Sequence, residues 1–158
     1  MNENWPRWVF ASFSKHFADH FAAAGIPLFV EGDDRDTSLT KDFAEFRMDG
    51  PRIRERSRNY FELYVPVNIL VTSAMDDANT HRGLRTIGKA LSGFADSISV
   101  FKYGANNPPD DRSLLVCMVL LKSPLHAVRE NHFGQVDKTV RLQQATVEGH
   151  YQGYITTE

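Results

Sequence analysis

The sequence predicts an α+β fold in which two helices pack on one face of a mostly antiparallel β-sheet with a long β-hairpin. Apolar residues recur at helical spacing in residues 5–24 and again in residues 79–96. Apolar and polar residues alternate in much of the remaining chain, above all in "RNYFELYVPVNILVT", residues 58–72. The chain of 158 residues is long enough to bury a core. We therefore expect residues 1–158 to form one domain.

The first helix is predicted from an apolar stripe whose members are spaced by three and four residues. The stripe comprises Trp5, Trp8, Val9, Phe13, Phe17, Phe21 and Ala24. Asn4 is suited to cap its start, Pro6 suits the first turn, and Gly25 suits the position after its end. The second helix carries an apolar face of Leu84, Ile87, Leu91, Phe94 and Ile98. Its glycines at positions 83, 88 and 93 indicate close approach of other backbone.

Strands are predicted at 27–30, 42–48, 58–72, 97–103, 112–123 and 139–156. The long strand is expected to begin as early as Ile53, with a hairpin turn at Asp49-Gly50-Pro51. The stretch "RSLLVCMVLLKS" is apolar on both sides, which predicts a central strand covered on both faces. Residues 123–138 are predicted to form a long connecting loop, and loops of this length are often functional.

Composition restricts the function classes. The formal net charge of −2 gives no general attraction to nucleic acid or anionic membranes. Cys117 is the only cysteine, which excludes an internal disulfide, and its apolar surroundings predict a small buried core residue. No apolar run reaches the ~18–20 residues that cross a bilayer, and the first residues do not resemble a signal peptide. We expect a soluble protein of a reducing compartment.

Motifs for catalysis or cofactor binding are missing from the sequence: it contains no G-x-S-x-G, no Walker loop and no dinucleotide fingerprint. His16 and His20 are spaced i, i+4 and share one helical side, where a metal could bind if further ligands joined them. A polar edge of the first helix explains the same pair. We therefore expect no cofactor and no enzymatic activity.

Two charged segments stand out. "EGDDRD", residues 31–36, contains Asp33, Asp34 and Asp36, and reads as a solvated acidic loop or as a partner for basic residues of another subunit. "RIRERSR", residues 52–58, places an arginine at every second position: Arg52, Arg54, Arg56 and Arg58. In an extended strand these side chains point to one side. Their mutual repulsion favours an anionic partner, either a subunit contact or a phosphate; a solvated strand end is the alternative.

The long strand indicates assembly. Pro66 lacks an amide donor, which predicts a sheet edge or a bulge at this position. Tyr60 and Tyr64 add aromatic surface to the side that does not face the core. An exposed, aromatic edge aggregates unless a partner covers it. We therefore expect the strand to serve both the sheet of one subunit and a contact between subunits.

This arrangement resembles the tail terminator family of long-tailed, lambda-type bacteriophages, and neck and tail-completion proteins more broadly. The resemblance runs over most of the chain: an N-terminal amphipathic helix, an acidic loop, the strand "FELYVPVNILVTS", the helix "HRGLRTIGKALSGF" and the closing strand "ATVEGHYQGYITTE". It implies a structural virion protein that forms a ring, expected to be hexameric, on the end of the tail tube. The implied partners are further copies of the chain, the tail tube protein and head connector proteins, with DNA passing through the lumen.

Carried onto this chain, the resemblance implies subunit contacts through the long strand and the arginine run, with the neighbour's acidic loop opposite them. The expected interface residues are Arg54, Arg56, Arg58, Tyr60, Tyr64, Pro66, Asp33, Asp34 and Asp36. Loops 105–112 and 123–138 are expected to dock tube or head proteins. The alternatives are another neck component such as a head-completion or connector protein, a DNA-binding module built on the arginines, and an enzyme that uses His16 and His20.

Overall fold

A computed structural model of the chain describes residues 3–31, 42–74, 82–103, 112–121, 129–130, 134–137 and 142–156. The elements that place the core are α1 (Trp5–Ala23), β1 (Leu28–Val30), β2 (Phe43–Met48), β3 (Arg52–Ser57), β4 (Tyr60–Ala74) and α2 (Arg82–Gly93). They are followed by β5 (Ser97–Tyr103), β6 (Arg112–Leu120), β7 (Arg129–Glu130), β8 (Gly134–Asp137) and β9 (Leu142–Thr156). Two helices and one sheet in the described ranges confirm the α+β class.

The strands form a single mixed sheet in the order β1-β2-β4-β9-β6-β5. β3 also pairs with β4, while β7 and β8 pair with β9. The β1–β2 pair is parallel, and the other described pairs are antiparallel. The centre of the sheet is the pairing of β4 with β9, which is continuous from Tyr60↔Thr156 to Ala74↔Leu142. Two long neighbouring strands therefore set the register of the whole molecule.

α1 forms where the sequence predicts it, because its apolar stripe packs into the core. Asn4 occupies the N-cap position, and its carbonyl accepts the amide of Trp8 at 3.0 Å, although its side chain makes no capping bond. Gly25, just past the helix, has a φ of +69°, a backbone conformation that glycine adopts without strain. The indole nitrogen of Trp8 donates to the carbonyl of Tyr103 at 3.0 Å, which fastens α1 to β5.

The core lies between the helices and one face of the sheet. From α1 come Val9, Phe13, Phe17 and Phe21, from β4 the odd-numbered residues Leu63 to Val71, and from β9 Ala145, Val147, Tyr151 and Ile155. The rings of Phe13 and Tyr151 meet edge to face, with their centroids 5.2 Å apart. The predicted alternation of β4 and β9 is confirmed by this burial pattern.

α2 is shorter than the predicted 79–96: it ends at Gly93, and residues before Arg82 lie outside the described part of the chain. Ile87 and Ala90 are buried, but Leu84 and Leu91 are 58% and 38% exposed, so the predicted apolar face is wrong at those two positions. Phe94 and Ile98 are buried but lie after the end of the helix, and Ile98 belongs to β5. The predicted close approach is correct at Gly93 and not at Gly88. A Cβ on Gly93 would lie 2.9 Å from the His20 ring, whereas one on Gly88 would meet open space.

The predicted hairpin is correct only in part. β2 and β4 are antiparallel neighbours, as expected. The chain does not reverse at Asp49-Gly50-Pro51, however, because β3 continues along β4 in the same direction as β2. It reverses at Arg58-Asn59, where Asn59 has a φ of +66°, a conformation that asparagine tolerates better than most residues. Ile53 therefore belongs to β3 and not to the start of the long strand.

The predicted edge position of Pro66 is wrong, because β4 has neighbours on both sides. On one side Pro66 lies opposite His150, whose carbonyl accepts the amide of Leu121 and so points away from β4. The nitrogen and the carbonyl of Pro66 accordingly point to the other side of β4. There the pairing is interrupted, because β2 ends at Met48↔Val67 and β3 begins at Arg52↔Tyr64. No strand amide partner is needed at that interruption, which explains how a central strand accommodates a proline.

Residues 123–138 are not wholly a loop, since they contain β7 and β8, two short strands that pair with β9. The remainder of this segment, the acidic residues Asp33, Asp34 and Asp36, and the predicted docking loop up to residue 111 lie outside the described residues. Within the described ranges, neither helix is long and apolar enough to cross a membrane.

Candidate functional site

The side of the sheet that does not carry the helices is called the outer face here. It includes the even-numbered residues at the start of β4 and at the end of β9, together with the residues opposite them on neighbouring strands. Arg52 pairs with Tyr64 and Arg54 with Glu62 on one side of β4, while Gln152 and Tyr154 oppose the same two β4 residues on the other. Side chains directly opposite one another lie on the same face. The outer face therefore combines arginines with tyrosines.

Arg52, Arg54 and Arg56 lie on β3, whose six residues are all exposed. Arg58 belongs to the turn after it, so the predicted ridge of four aligned arginines is interrupted there. Arg56 contacts Glu62 of the same chain, in a pair whose side chains are 42% and 12% exposed. For Arg52 and Arg54, the described residues supply no carboxylate within salt-bridge distance.

A surface cavity of about 550 Å³ lies beside these arginines. It is lined by Arg52, Ile53, Arg54, Glu62 and Tyr64. The carboxylate of Glu62 is already engaged, because one oxygen contacts Arg56 and the other accepts from the amide of Gln152. The oxygens of Glu62 are thus bonded to Arg56 and Gln152 rather than to Arg52 or Arg54. The arrangement offers an anion two guanidinium groups next to the apolar surface of Ile53 and the Tyr64 ring.

Tyr64 links this cavity to β9. Its hydroxyl is hydrogen-bonded to Nδ1 of His150, and Nε2 of His150 lies 2.9 Å from Oε1 of Glu148. All three side chains are half-buried. Burial raises the pKa of the Tyr64 hydroxyl, with Arg52 opposing the change and Glu148 adding to it. The phenol therefore stays protonated at neutral pH.

Tyr60 and Tyr154 stack on the outer face, with ring centroids 5.5 Å apart and planes 2° from parallel. They are 37% and 48% exposed, although rings of this size usually lie against other protein. Pro66, by contrast, is buried within the chain and offers no exposed surface. Of the residues predicted for a subunit contact, Tyr60, Tyr64, Arg54 and Arg56 come together on one face.

β6 extends the outer face. As predicted, it lies inside the sheet, between β9 and β5. Val116, Met118 and Leu120 face the core, while Val119, opposite Gln152, is 52% exposed. The prediction of a buried Cys117 is wrong: this thiol is exposed, because its position alternates with the core residues of β6. The chain leaves apolar side chains of a central strand uncovered on this face.

His16 and His20 point toward the end of α2. Nε2 of His16 lies 2.8 Å from the carbonyl of Gly93, and Nε2 of His20 lies 2.7 Å from the carbonyl of Lys89. A carbonyl only accepts, so both Nε2 atoms carry hydrogen and donate to carbonyls at the end of α2. These carbonyls also accept from the amide of Ala95 and the hydroxyl of Ser92, respectively. The described residues contain no group of three or more His, Cys, Asp or Glu placed to hold a metal ion.

A smaller cavity of about 350 Å³ lies between α1 and β5. Lys15 and Asp19 line it and form an exposed ion pair at 2.9 Å, so its charges compensate one another. The outer face is the stronger candidate for a functional site, because its arginines lack such compensation.

Sequence reasoning found the arginines and the two tyrosines of β4 but missed Tyr154, His150 and Glu148. The period-2 pattern of β9 places these three residues on its solvent side, which was the available signal. Their position beside Tyr64 depends on the register between β4 and β9, which the pattern does not contain. No known protein family model matches the chain, and no curated protein sequence matches it either.

Proposed function

We propose that the protein is a structural subunit of a homo-oligomeric ring, built through the outer face of its sheet. The observation that carries the proposal is the uncovered surface formed by the Tyr60–Tyr154 stack, Val119 and Cys117 beside Arg52 and Arg54. Contiguous exposed apolar surface is typical of protein contacts. A second protein surface would cover the rings and supply the missing negative charge.

The ring we propose is the cap of a phage tail tube, which forms the tail side of the head–tail junction in the virion. The order of elements and the amphipathic helix support this assignment, through the resemblance to tail terminator proteins. Six copies, the tail tube protein and head connector proteins are the proposed partners. The acidic segment with Asp33, Asp34 and Asp36 on one subunit is the proposed complement of Arg54 on the next. A head-completion or connector protein would use the same face with other partners.

A second candidate function is binding of single-stranded nucleic acid to the outer face. Arg52 and Arg54 lie on the same face as the stacked rings of Tyr60 and Tyr154. Aromatic rings for bases and arginines for phosphates are the usual means by which proteins hold single strands. This arrangement would also suit arginines that line a lumen through which DNA passes. Affinity that falls steeply with added salt would favour this candidate.

Native mass spectrometry at several protein concentrations and two salt concentrations, followed by addition of purified tail tubes, tests the ring. We expect a closed hexamer, either free or only on tube ends. The double variant Arg54→Glu, Arg56→Glu should remain monomeric. Because Arg56 also contacts Glu62 in the same chain, Arg52→Glu, Arg54→Glu is the cleaner second variant.

The matched control is Arg85→Glu, Lys89→Glu, which changes the charge equally on exposed positions of α2. It should assemble as the unmodified protein does. Unchanged assembly of both outer-face variants contradicts the proposed interface. A monomer that ignores tail tubes argues for another neck component.

A further inference from the structure

The contacts around His150 fix where its hydrogen lies when the ring is neutral. An ionised carboxylate only accepts hydrogen bonds, so the Glu148 contact requires hydrogen on Nε2 of His150. Nδ1 then has a free electron pair and accepts from the hydroxyl of Tyr64. In this state the phenolic hydrogen points at the imidazole and away from the cavity that the Tyr64 ring lines.

Protonation of His150 reverses the bond to Tyr64. A charged imidazole carries hydrogen on both nitrogens, so Nδ1 donates to the phenolic oxygen. The phenolic hydrogen must then turn to a different acceptor. Because Tyr64 lines the cavity together with Arg52 and Arg54, an anion held by these arginines is placed to accept it. The same protonation adds one positive charge behind Tyr64.

The lining of the cavity suits a carboxylate carried by a peptide. Arg52 and Arg54 supply two positive charges, but Glu62 lines the cavity and Glu148 lies behind Tyr64. A doubly charged phosphate is repelled more by these carboxylates but also attracted more by the arginines, so charge alone does not select between the two oxyanions. The Arg56–Glu62 pair of the same strands already shows a guanidinium and a carboxylate side by side at this face. Ile53 and the Tyr64 ring suit the carbon atoms of a peptide.

We propose that this cavity binds a carboxylate of an acidic peptide segment, and that the uptake of one proton by His150 strengthens the binding through Tyr64. The ligand-bound state then contains one more proton than the free state, taken from solvent. In naming the acidic segment 31–36 of a second copy as the ligand, this inference rests on the proposed ring; the site itself does not require it.

Among the described residues, the charged groups near the switch lie on four strands. Glu148 lies beside His150 on β9, Glu62 lies two positions before Tyr64 on β4, and Arg52 and Arg54 lie on β3. Arg129 of β7 is opposite Glu148 in register. Of these groups, histidine is the type that changes charge between about pH 5 and 8. A pH dependence that disappears in His150→Gln therefore reports on this imidazole.

The probe is the blocked peptide VEGDDRDT, which has the sequence of residues 30–37, and its binding to the full-length protein is measured by calorimetry at pH 8 and pH 6. We expect affinity to rise roughly tenfold at the lower pH, which corresponds to about 1.4 kcal/mol of binding free energy. The control peptide VQGNNRNT, which lacks the carboxylates, should not bind. Inorganic phosphate tests the other oxyanion: a phosphate that binds more tightly than the peptide overturns the choice of carboxylate.

Three variants assign the effect. His150→Gln retains a donor for Glu148 but gains no proton, so it should bind the peptide equally at the two pH values. Tyr64→Phe removes the hydroxyl while keeping the ring, and should retain only the smaller pH effect that the added charge on His150 produces. Arg52→Gln, Arg54→Gln should abolish binding. Tyr103→Phe, which removes a hydroxyl from β5 on the side of the sheet that packs against the core, should behave as the unmodified protein does. If His150→Gln does not fold, Tyr64→Phe alone decides the matter.

Absence of peptide binding at both pH values overturns the proposal, as does a pH effect of undiminished size in Tyr64→Phe. Native mass spectra of the same samples separate this outcome from failure of the ring. If the protein assembles but does not bind the peptide, the proposed ring is retained and the cavity is rejected as its contact. If the protein binds the peptide but never assembles, the proposed peptide site is retained and the proposed ring is rejected.

Discussion

Gly153 of β9 lies directly against Met118 of β6, so closely that a Cβ at this glycine would be 2.5 Å from the methionine sulfur. The same Cβ would lie 3.0 Å from Val116 and 3.4 Å from the backbone oxygen of Cys117. Because Met118 is fully buried, it has little room to move away. The absence of a side chain at Gly153 therefore allows the last part of β9 to pack closely against β6.

Gly153→Ala should lower the free energy of unfolding by about 1–3 kcal/mol, the usual cost of overpacking a core. Chemical denaturation followed by circular dichroism measures this change. The matched control is Gly88→Ala on α2, where the added methyl group meets open space. In a helix this control should raise stability by about 0.5–1 kcal/mol. Equal effects of the two substitutions would contradict the packing at Gly153.

Tyr151→Phe should cost about 1 kcal/mol at neutral pH, since the hydroxyl donates to the carbonyl of Ala95 at 2.7 Å. Burial, reinforced by Asp96, raises the pKa of Tyr151 above its ordinary value. A raised pKa means that the unfolded chain releases this proton first as pH increases. The contribution of Tyr151 is thus complete below about pH 10 and is lost above it.

Denaturation curves at pH 7, 9 and 10.5 should therefore show a difference between the unmodified protein and Tyr151→Phe that shrinks at the highest pH. Tyr64→Phe serves as a second reference, because burial also raises the pKa of Tyr64. A difference that grows above pH 10 would contradict the burial of a protonated Tyr151.

Cys117 should report assembly directly. It is the only cysteine of the chain and is exposed on the outer face. A thiol reagent should modify it readily in the monomer and slowly in a ring that covers this face. The reference variant Cys117→Ser, Ser92→Cys moves the thiol to an exposed position of α2. Its labelling rate should not change on assembly; equal labelling of Cys117 in both states would place the contact elsewhere.

His16→Ala should destabilise the protein by about 0.5–1.5 kcal/mol, because the carbonyl of Gly93 loses its 2.8 Å hydrogen bond at the end of α2. Thermal unfolding in the presence and absence of a chelator measures both the cost and any contribution of metal. Lys15→Ala, on an exposed neighbouring position, is the control and should change stability little. A chelator effect in the unmodified protein would revive the metal-binding alternative.

The sequence predicted the elements with strong periodicity. α1 and the buried residues of β4 and β9 were predictable because each presents one continuous apolar side to the core. The turn was misplaced because Asp49-Gly50-Pro51 has the composition of a reversal, yet here it only separates two strands that run in the same direction. Local composition does not distinguish these two outcomes.

The candidate site was predictable only in part for a different reason. Tyr64 and His150 are 86 positions apart in the chain, and their hydrogen bond follows from the register of two strands. A shift of two residues in that register would preserve every apolar contact pattern and separate them. The exposure of Cys117 was missed because an apolar strand reads as buried on both faces, whereas here one side is left open.

The interruption opposite Pro66 divides the hydrogen-bond ladder on that side of β4 into two parts, and the part that carries β3 is exposed at all six residues. An arm with so little buried surface has a low cost of local opening, so its amide hydrogens should exchange with solvent well before those of β2 and the middle of β9. Hydrogen exchange should thus distinguish β3, which opens locally, from β2 and the middle of β9, which stay closed. A ligand that binds Arg52 and Arg54 should therefore slow the exchange of the amide hydrogens of β3.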